Sequence, residues 1–523
     1  MGHAACTVAL LFASCVSGLA MAADARDIVL AENGKARSAI VLAKSAILPE
    51  QTAAAELRDY LGKVTGAAFD ILAEGEEPPE TFLICVGPSR YARDMGIEAD
   101  RLGPERWFMR SRGNRLALVG GRPRGTLYAV YHFLEDVVGV HWWSVWDEHV
   151  PHRPALTIGH LDRHGEPAFS LRGQDTVFYY SRDTRFAARN RVNYSGHCSI
   201  PFEYGGETRF GPPRACHTFC NYFPPSVALF RAHPEWFAMD KDGNRKRSDK
   251  VQTNQLCLSN QKLRESFLVK LRENIKKSRD GPIPPVYFDL SPNDSSHSCQ
   301  CEACRRIVKE KGGADAGLLL DFLNDLADRI KDEYPEVILE ALAYLNTEKP
   351  PKNIKARPNV AITLCDTRSN YLEPVPKGGY FDGLLAAWSR IADRIMIWDY
   401  HSTFAAPLSP VPLEHTFQPD LQLFHRHGVA GVKTQYHYAI DDEMRDYRQW
   451  LLAKLYADPS QDVDALSQVF LEGFYGPAAP HIRAYLQALR AAARAKPSTV
   501  RTQTEMGALR YLDLPFLREA QAV

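Results

Sequence analysis

The sequence has no excess of charge of either sign, since 63 Lys and Arg residues are balanced by 63 Asp and Glu residues. A neutral chain has no long-range field to attract polyanions, so nucleic acids and anionic membrane surfaces are disfavoured as partners. Beyond its first residues, the chain has no apolar run of the roughly 18 residues that a membrane helix needs. A P-loop, a dinucleotide fingerprint in a βαβ setting, a His-Glu-x-x-His helix and a G-x-S-x-G elbow are also lacking. Nucleotide-dependent and zinc-protease functions therefore find no support, and no cofactor is predicted.

The residues that are present are those of a globular protein: 45% are hydrophobic and 24% are charged. A chain of 523 residues is too long for one ordinary domain. Its first residues form a short apolar segment that ends in Ala20-Met-Ala22, which predicts a signal peptide over residues 1–22. Export to the periplasm or the outside of the cell follows, with lipidation at Cys15 as the less favoured alternative. The oligomeric state is not determined by the sequence.

Residues 24–165 have the pattern of a small α/β domain. Its predicted strands and helices are Ile28–Leu30, Ala39–Leu42, Phe82–Val86, Leu116–Val119, Pro49–Leu61 and Arg124–Val137. The motifs Gly125-x-x-Tyr128 and Gly139-Val-His-Trp-Trp143 resemble the domain that precedes the barrel in glycoside hydrolase families 20 and 67, the β-hexosaminidases and α-glucuronidases. The resemblance implies that this domain packs beside a catalytic barrel and contributes no catalytic residue.

Residues 166–440 alternate between strand and helix patterns, which predicts a (β/α)8 TIM-like barrel, followed by a helical tail over residues 441–523. The eight predicted strands are Phe169–Arg172, Asn190–Tyr194, Gln255–Leu258, Val286–Leu290, Val337–Tyr344, Val360–Cys365, Arg394–Tyr400 and Val429–Gln435. The first two have the weakest patterns of the eight.

Several motifs of this region resemble a large bacterial family of unknown function that is related to glycoside hydrolase family 163, the endo-β-N-acetylglucosaminidases. These motifs include His233-Pro-Glu-Trp-Phe237, Asn293-Asp294, Cys299-x-Cys301-x-x-Cys304, Ile397-Trp-Asp-Tyr400 and Trp450-Leu-Leu-Ala-Lys454. The resemblance implies a glycosidase whose partner is a glycan or oligosaccharide substrate.

The central prediction concerns Asn293 and Asp294, which follow the fourth predicted strand. Active sites of parallel barrels lie at the carboxyl ends of the strands. Related retaining families place an orienting group and an acid at this strand end, and their substrate supplies its own 2-acetamido oxygen as nucleophile. By this resemblance, Asp294 is the acid/base and Asn293 orients the acetamide. The structural alternative is an Asx turn that caps the next segment.

Other polar and aromatic residues at predicted strand ends are candidates for the same site. Asp399 is a candidate second carboxylate, ranked above Asp366, while Glu340 is predicted to lie in the core or to pair with a cation. The candidate substrate-binding residues are Tyr344, Trp398, Tyr400, His217, Arg172 and Gln435. Two other functions stay open: an α-glucuronidase or other exo-glycosidase that uses two protein carboxylates, and a non-catalytic barrel that binds glycans.

Cys299, Cys301 and Cys304 are close enough in sequence to suggest zinc, with His297 or the distant Cys257 as a fourth ligand. Their spacing matches no standard zinc finger. A disulfide or free thiols is the favoured interpretation, and no metal is assigned. In either case the cluster would support the loop that carries Asp294.

Overall fold

The computed structural model describes residues 27–175, 183–196, 198–436 and 442–523. The predicted signal peptide and Cys15 lie outside the described residues. Among the helices found in these four ranges, none has both the length and the apolar character needed to cross a bilayer.

The N-terminal unit contains a six-stranded mixed sheet, two smaller sheets and three α-helices. Its strands are β1 (Ile28–Glu32), β2 (Lys35–Ala36), β3 (Ser38–Leu42), β4 (Ile71–Ala73), β5 (Phe82–Val86), β6 (Trp107–Arg112), β7 (Arg115–Gly120), β8 (His141–Trp142), β9 (Glu148–His149), β10 (Leu156–Ile158) and β11 (Asp162–Gly165). Its helices are α1 (Leu48–Thr65), α2 (Arg90–Asp94) and α3 (Gly125–Phe133). The main sheet has the order β11-β6-β7-β5-β3-β4.

Local signals explain the predicted helix Pro49–Leu61, which forms within α1. Pro49 stands in the first turn, and the Glu50 carboxylate accepts a hydrogen bond of 2.8 Å from the Ile47 N–H. The helix ends at Gly66, whose φ of 72° is the left-handed conformation that glycine adopts without strain.

The second unit is a curled, wholly parallel sheet of six strands. They are β12 (Leu171–Asp175), β13 (Tyr287–Asp289), β14 (Ile338–Ala343), β15 (Val360–Cys365), β16 (Ile395–Tyr400) and β17 (Gly431–Gln435). Their order is β12-β17-β16-β15-β14-β13. The helices of this unit are α4 (Arg185–Arg189), α5 (Phe219–Tyr222), α6 (Val227–Ala232), α7 (Gln261–Lys277), α8 (Glu302–Glu310), α9 (Ala316–Ile330), α10 (Tyr380–Trp388) and α11 (Glu414–Arg426).

Two of the eight predicted strands are not strands in the structure. Tyr194 makes a single parallel bridge to Gly173, because Arg191 has a φ of 61° and the Asn193 side chain takes the Arg172 N–H at 2.8 Å. The predicted strand Gln255–Leu258 lies outside the sheet, where Leu256 bridges Phe237. The position beside β13 is taken instead by Phe210, through one parallel bridge to Tyr287. The described sheet is therefore a curled half-barrel with six strands, where the sequence predicts eight.

The pleat of the sheet decides which side chains face inward. A buried cluster of Leu171, Tyr287, Ile338, Ala361 and Met396 marks the inward face near the start of the strands. Since side chains alternate along a strand, residues two and four positions further also face inward. Trp398 and Tyr400 therefore point to the inside of the sheet, and Asp399 points toward the surrounding helices.

The C-terminal helices are α12 (Arg445–Ala457), α13 (Val463–Tyr475), α14 (Ala479–Ala495) and α15 (Leu514–Ala522). They cover the N-terminal unit as well as the sheet. Trp143 packs against Trp450 and Phe470 with ring centroids 5.5 Å apart in both pairs. A buried ion pair of 2.6 Å between Glu105 and Arg172 also joins the N-terminal unit to β12.

Candidate functional site

The loop after β13 is held in place through Asn293. The Asn293 side chain is buried, its Oδ1 accepts a hydrogen bond of 2.8 Å from the Cys220 N–H, and its Nδ2 donates to the Asn254 carbonyl. Gln255 Nε2 donates to the Asn293 carbonyl at 2.8 Å, and the Asn293 N–H donates to Gln255 Oε1 at 3.2 Å. The amide predicted to orient a sugar is thus engaged by the protein's own backbone and fixes the loop.

Asp294, the next residue of that loop, is exposed. Its N–H donates to Gln252 Oε1 at 3.0 Å. Its carboxylate faces the Tyr344 hydroxyl, and burial together with the Asp294 charge raises the pKa of Tyr344. The ring of His217 lies 5.7 Å from the Tyr344 ring, and its Nδ1 is 2.9 Å from the Pro292 carbonyl. The structure therefore brings three predicted site residues, Asp294, Tyr344 and His217, together at the carboxyl edge of the sheet.

The inward aromatic residues of β16, Trp398 and Tyr400, lie in the same region and are buried. The rings of Trp398 and Tyr400 are stacked, with centroids 6.2 Å apart. Trp398 Nε1 donates to Gln435 Oε1 at 3.2 Å. Burial, followed by the neighbouring Cys365 and Tyr344, raises the pKa of Tyr400 well above its ordinary value. Trp398, Tyr400 and Gln435 are thus brought together with Tyr344 on one face.

Arg172 is not part of this face, contrary to the prediction. Its side chain is fully buried, its Nη1 lies 2.6 Å from Glu105 Oε2, and its Nε donates to the Arg191 carbonyl at 2.7 Å. Arg172 and Glu105 thus form part of the contact with the N-terminal unit. The pleat of β12 turns the guanidinium away from the inside of the sheet, so no sugar can reach it.

Asp399 also lies away from the inward face. Its carboxylate is 3.0 Å from His401 Nε2 and accepts a hydrogen bond of 2.8 Å from the Tyr400 N–H. Asp366, at the next strand end, is buried beside it, and burial together with the Asp399 charge raises the pKa of Asp366 to about 7. The predicted second carboxylate therefore belongs to an acidic pair between the sheet and its helices.

Asp289, Glu340 and Lys433 are ionisable residues inside the sheet, and they were not predicted as part of the site. Asp289 on β13 and Glu340 on β14 are fully buried and adjacent, and burial together with the Asp289 charge raises the pKa of Glu340 well above its ordinary value. Lys433 on β17 places its Nζ 3.8 Å from the centroid of the Trp398 ring. The sequence signal that could have identified these residues is a charged residue within an apolar strand pattern. Such a residue is rarely buried without a partner.

The cysteines that follow Asp294 form a cluster with Cys257. The Sγ atoms of Cys257, Cys299, Cys301 and Cys304 all lie within 4.8 Å of one another. The Cys257 sulfur is 3.6 Å from that of Cys301 and 3.8 Å from that of Cys304. All four thiols are free, so of the two favoured alternatives, a disulfide or free thiols, the structure has free thiols. His297 is exposed and is not a member of the cluster.

Comparison with solved structures finds a similar fold in a carbohydrate-active enzyme. A family GH115 4-O-methyl-α-glucuronidase with specificity for decorated arabinogalactans is 15% identical with a TM-score of 0.56, and the match covers 94% of this chain. The chain spans 66% of that enzyme, which is less than two thirds of its length. This likeness shows a shared fold.

Two further structures are similar at lower scores. A GH138 enzyme targeting pectin rhamnogalacturonan II is 10% identical with a TM-score of 0.42, covering 87% of this chain and 56% of the other. A β-N-acetylhexosaminidase from Bacteroides fragilis is 14% identical with a TM-score of 0.44, covering 88% of this chain and 93% of the other.

No curated protein is significantly similar to the chain. The family model called domain of unknown function DUF4838 matches residues 142–487, which is well over half of the sequence. The match includes the parallel sheet, the Asp294 loop and the cysteine cluster. The chain belongs to the DUF4838 family.

Proposed function

We propose that this protein is an exported glycoside hydrolase whose sugar-binding site lies at the carboxyl ends of β13 to β17. One observation carries the proposal: an exposed carboxylate, Asp294, meets the Tyr344 hydroxyl beside the inward rings of Trp398 and Tyr400. Aromatic rings provide flat apolar surfaces, and catalytic groups of parallel barrels lie at this edge. The fold shared with a glucuronidase supports the same class of reaction.

The proposed substrate is a glycan that contains β-linked N-acetylhexosamine, which is cleaved with retention of configuration. Asp294 protonates the leaving glycosidic oxygen while the substrate's acetamide oxygen attacks the anomeric carbon, and Asp294 then takes a proton from the incoming water. The resemblance of Asn293-Asp294 and the motifs around it to the family related to glycoside hydrolase family 163 supports this class of sugar.

The neighbouring residues have different roles in this proposal. Tyr344 orients the acetamide group, since its hydroxyl lies next to Asp294. Asn293 acts as a positioning residue, because both ends of its side-chain amide are bonded to backbone groups. Trp398 and Tyr400 contact the apolar face of the sugar, while Gln435 and His217 bind hydroxyl groups.

A second candidate is an α-glucuronidase that uses two protein carboxylates. The favouring observation is the inward Lys433, a cation on the same face as Trp398. A uronic acid needs such a cation, and an inverting enzyme places its carboxyl groups about 6.5–9.5 Å apart. A barrel that binds glycans without cleaving them is the third candidate.

Two chromogenic substrates distinguish these functions. We expect the purified protein to hydrolyse 4-nitrophenyl N-acetyl-β-D-glucosaminide or a released N-glycan, and to leave the matching glucuronide intact. Hydrolysis of the glucuronide alone would establish the second candidate. Glycan binding without turnover of either substrate would contradict the proposed hydrolase function.

A further inference from the structure

The sulfur atoms of the four-cysteine cluster have the spacing of a metal site. In a disulfide the two sulfurs are about 2.05 Å apart, well below the 3.6 and 3.8 Å that separate Cys257 from Cys301 and Cys304. A zinc ion holds each thiolate sulfur at about 2.3 Å, and a tetrahedron of that size places its sulfurs about 3.8 Å apart. These two distances thus match a tetrahedral thiolate site, and all four sulfurs lie within 4.8 Å of one another.

The surroundings supply the groups that such a site needs. Four thiolates around a divalent cation carry a net charge of −2, so donors and positive charge stabilise them. The Met239 N–H donates to Cys299 Sγ at 3.3 Å, and the Ser259 hydroxyl is 3.0 Å from Cys304 Sγ. The Arg245 guanidinium reaches Cys299 Sγ at 4.0 Å. Cys301 is the N-cap of α8, so the positive end of that helix also faces the cluster.

We propose that Cys257, Cys299, Cys301 and Cys304 bind one zinc ion that fixes the loop carrying Asp294. Soft thiolate ligands in tetrahedral geometry select zinc over magnesium or calcium. Four protein ligands leave no open position for water or substrate, so the ion has a structural and not a catalytic role.

The coupling to the Asp294 loop is visible in the hydrogen bonds around the cluster. Cys257 lies two residues after Gln255, whose Nε2 donates to the carbonyls of Asn293 at 2.8 Å and Ser295 at 3.1 Å. Cys299 follows the same loop at its other end. The ion would therefore connect the Cys257 segment to the loop that carries Asp294. The Gln255 amide already joins the same two segments.

Metal analysis of the full-length purified protein tests this site without any assumption about its reaction. We expect one zinc per chain by elemental mass spectrometry, released on titration with an organomercurial that modifies thiols. Replacement of zinc by Co²⁺ should give a thiolate-to-cobalt charge-transfer band and the intense visible bands of a tetrahedral site. The cobalt spectrum uses the wild-type chain, so it is informative even where a variant fails to fold.

Cysteine variants provide the matched comparison. Cys257→Ser and Cys304→Ser should lose the zinc and the cobalt charge-transfer band. Cys85→Ala removes a buried cysteine of the N-terminal sheet and should keep one zinc per chain. Removal of zinc by a chelator should also lower the Tm of the wild type and leave Cys257→Ser unchanged.

Two results would overturn the proposal. One is a folded wild-type protein that contains no zinc and shows no charge-transfer band with Co²⁺. The other is a disulfide between any two of the four cysteines, detected by peptide mass after alkylation. Neither result bears on glycoside hydrolysis, which is assayed separately.

Discussion

Gln255 holds Asn293 by both of its backbone polar groups: Gln255 Nε2 donates to the Asn293 carbonyl, and Gln255 Oε1 accepts from the Asn293 N–H. This pair explains how a loop outside the sheet is fixed at the sheet's edge. It also explains why the amide beside the candidate acid is buried while Asp294 is exposed.

Asn293→Ala should lower the free energy of unfolding by about 1–3 kcal/mol, because it leaves the buried Cys220 N–H and the Asn254 carbonyl without a partner. Urea denaturation measures the change. His297→Ala, an exposed position on the same loop, should change stability by no more than about 0.5 kcal/mol. Equal effects of the two substitutions would show that the Asn293 amide does not fix the loop.

Glu105→Gln should destabilise the protein by about 3–5 kcal/mol at neutral pH, since it removes the charge that compensates the buried Arg172. The Arg172 and Arg124 guanidinium groups outweigh the cost of burial and lower the pKa of Glu105 from 4.5 to about 2. The stability from this carboxylate is therefore fully present above pH 4.5 and is lost as the pH falls toward 2. Unfolding free energies measured across that window should show a shallower acid-side decline in the variant.

Glu340→Gln removes a carboxyl group whose contribution to stability depends on pH in the opposite direction to that of Glu105. Burial and the Asp289 charge raise the pKa of Glu340, so the wild type loses stability as the pH rises from the ordinary carboxyl range toward the pKa of the folded state. Neither Glu340 oxygen accepts a hydrogen bond from the described residues, and an amide, like the neutral acid, can donate to Asp289. We expect the variant to be at least as stable as wild type at pH 7, with a flatter profile above pH 4.5. Marked destabilisation at pH 7 would show that Glu340 is ionised and paired.

Trp398→Ala should reduce kcat/KM for a glycan substrate about 10-fold, which corresponds to about 1.4 kcal/mol, mainly through a higher KM. Its ring is stacked with Tyr400 and bonded to Gln435, so it offers a fixed surface to a sugar. Trp398→Phe should recover part of the loss. Trp146→Ala, at a position that is 57% exposed in the N-terminal unit, is the control and should leave the kinetics unchanged.

The strands of the sheet were largely predictable from sequence, since a buried parallel strand is a continuous apolar run between turns. Val360–Cys365 is found with the predicted bounds, and five other predicted strands differ by one to three residues at their ends. Asn190–Tyr194, one of the two weakest patterns, does not form a strand, because Arg191 has a left-handed backbone that the composition does not reveal.

The site was predictable only in part. A sequence indicates where a strand lies, but it does not indicate which side chains of that strand face the inside of the sheet. Asp294, Tyr344 and Trp398 lie at one edge of the sheet, and their roles in a site stay predictions. Asp399 faces the helices, since its neighbours Trp398 and Tyr400 occupy the inward positions. Arg172 is paired with Glu105, which lies 67 residues away in sequence, and Cys257 is 47 residues from Cys304. Contacts over such distances depend on the fold and not on local spacing.

Hydrolysis by Asp294→Asn tests the central claim most directly. The substitution keeps the size of the side chain and removes the acid, so turnover of an N-acetyl-β-glucosaminide or a released N-glycan should fall at least about 100-fold. Asp242→Asn, at an exposed position outside the site, is the matched control. The account predicts wild-type kinetics for the control and near-complete loss for Asp294→Asn. Turnover by Asp294→Asn within a few-fold of wild type would contradict the assignment of Asp294 as the proton donor.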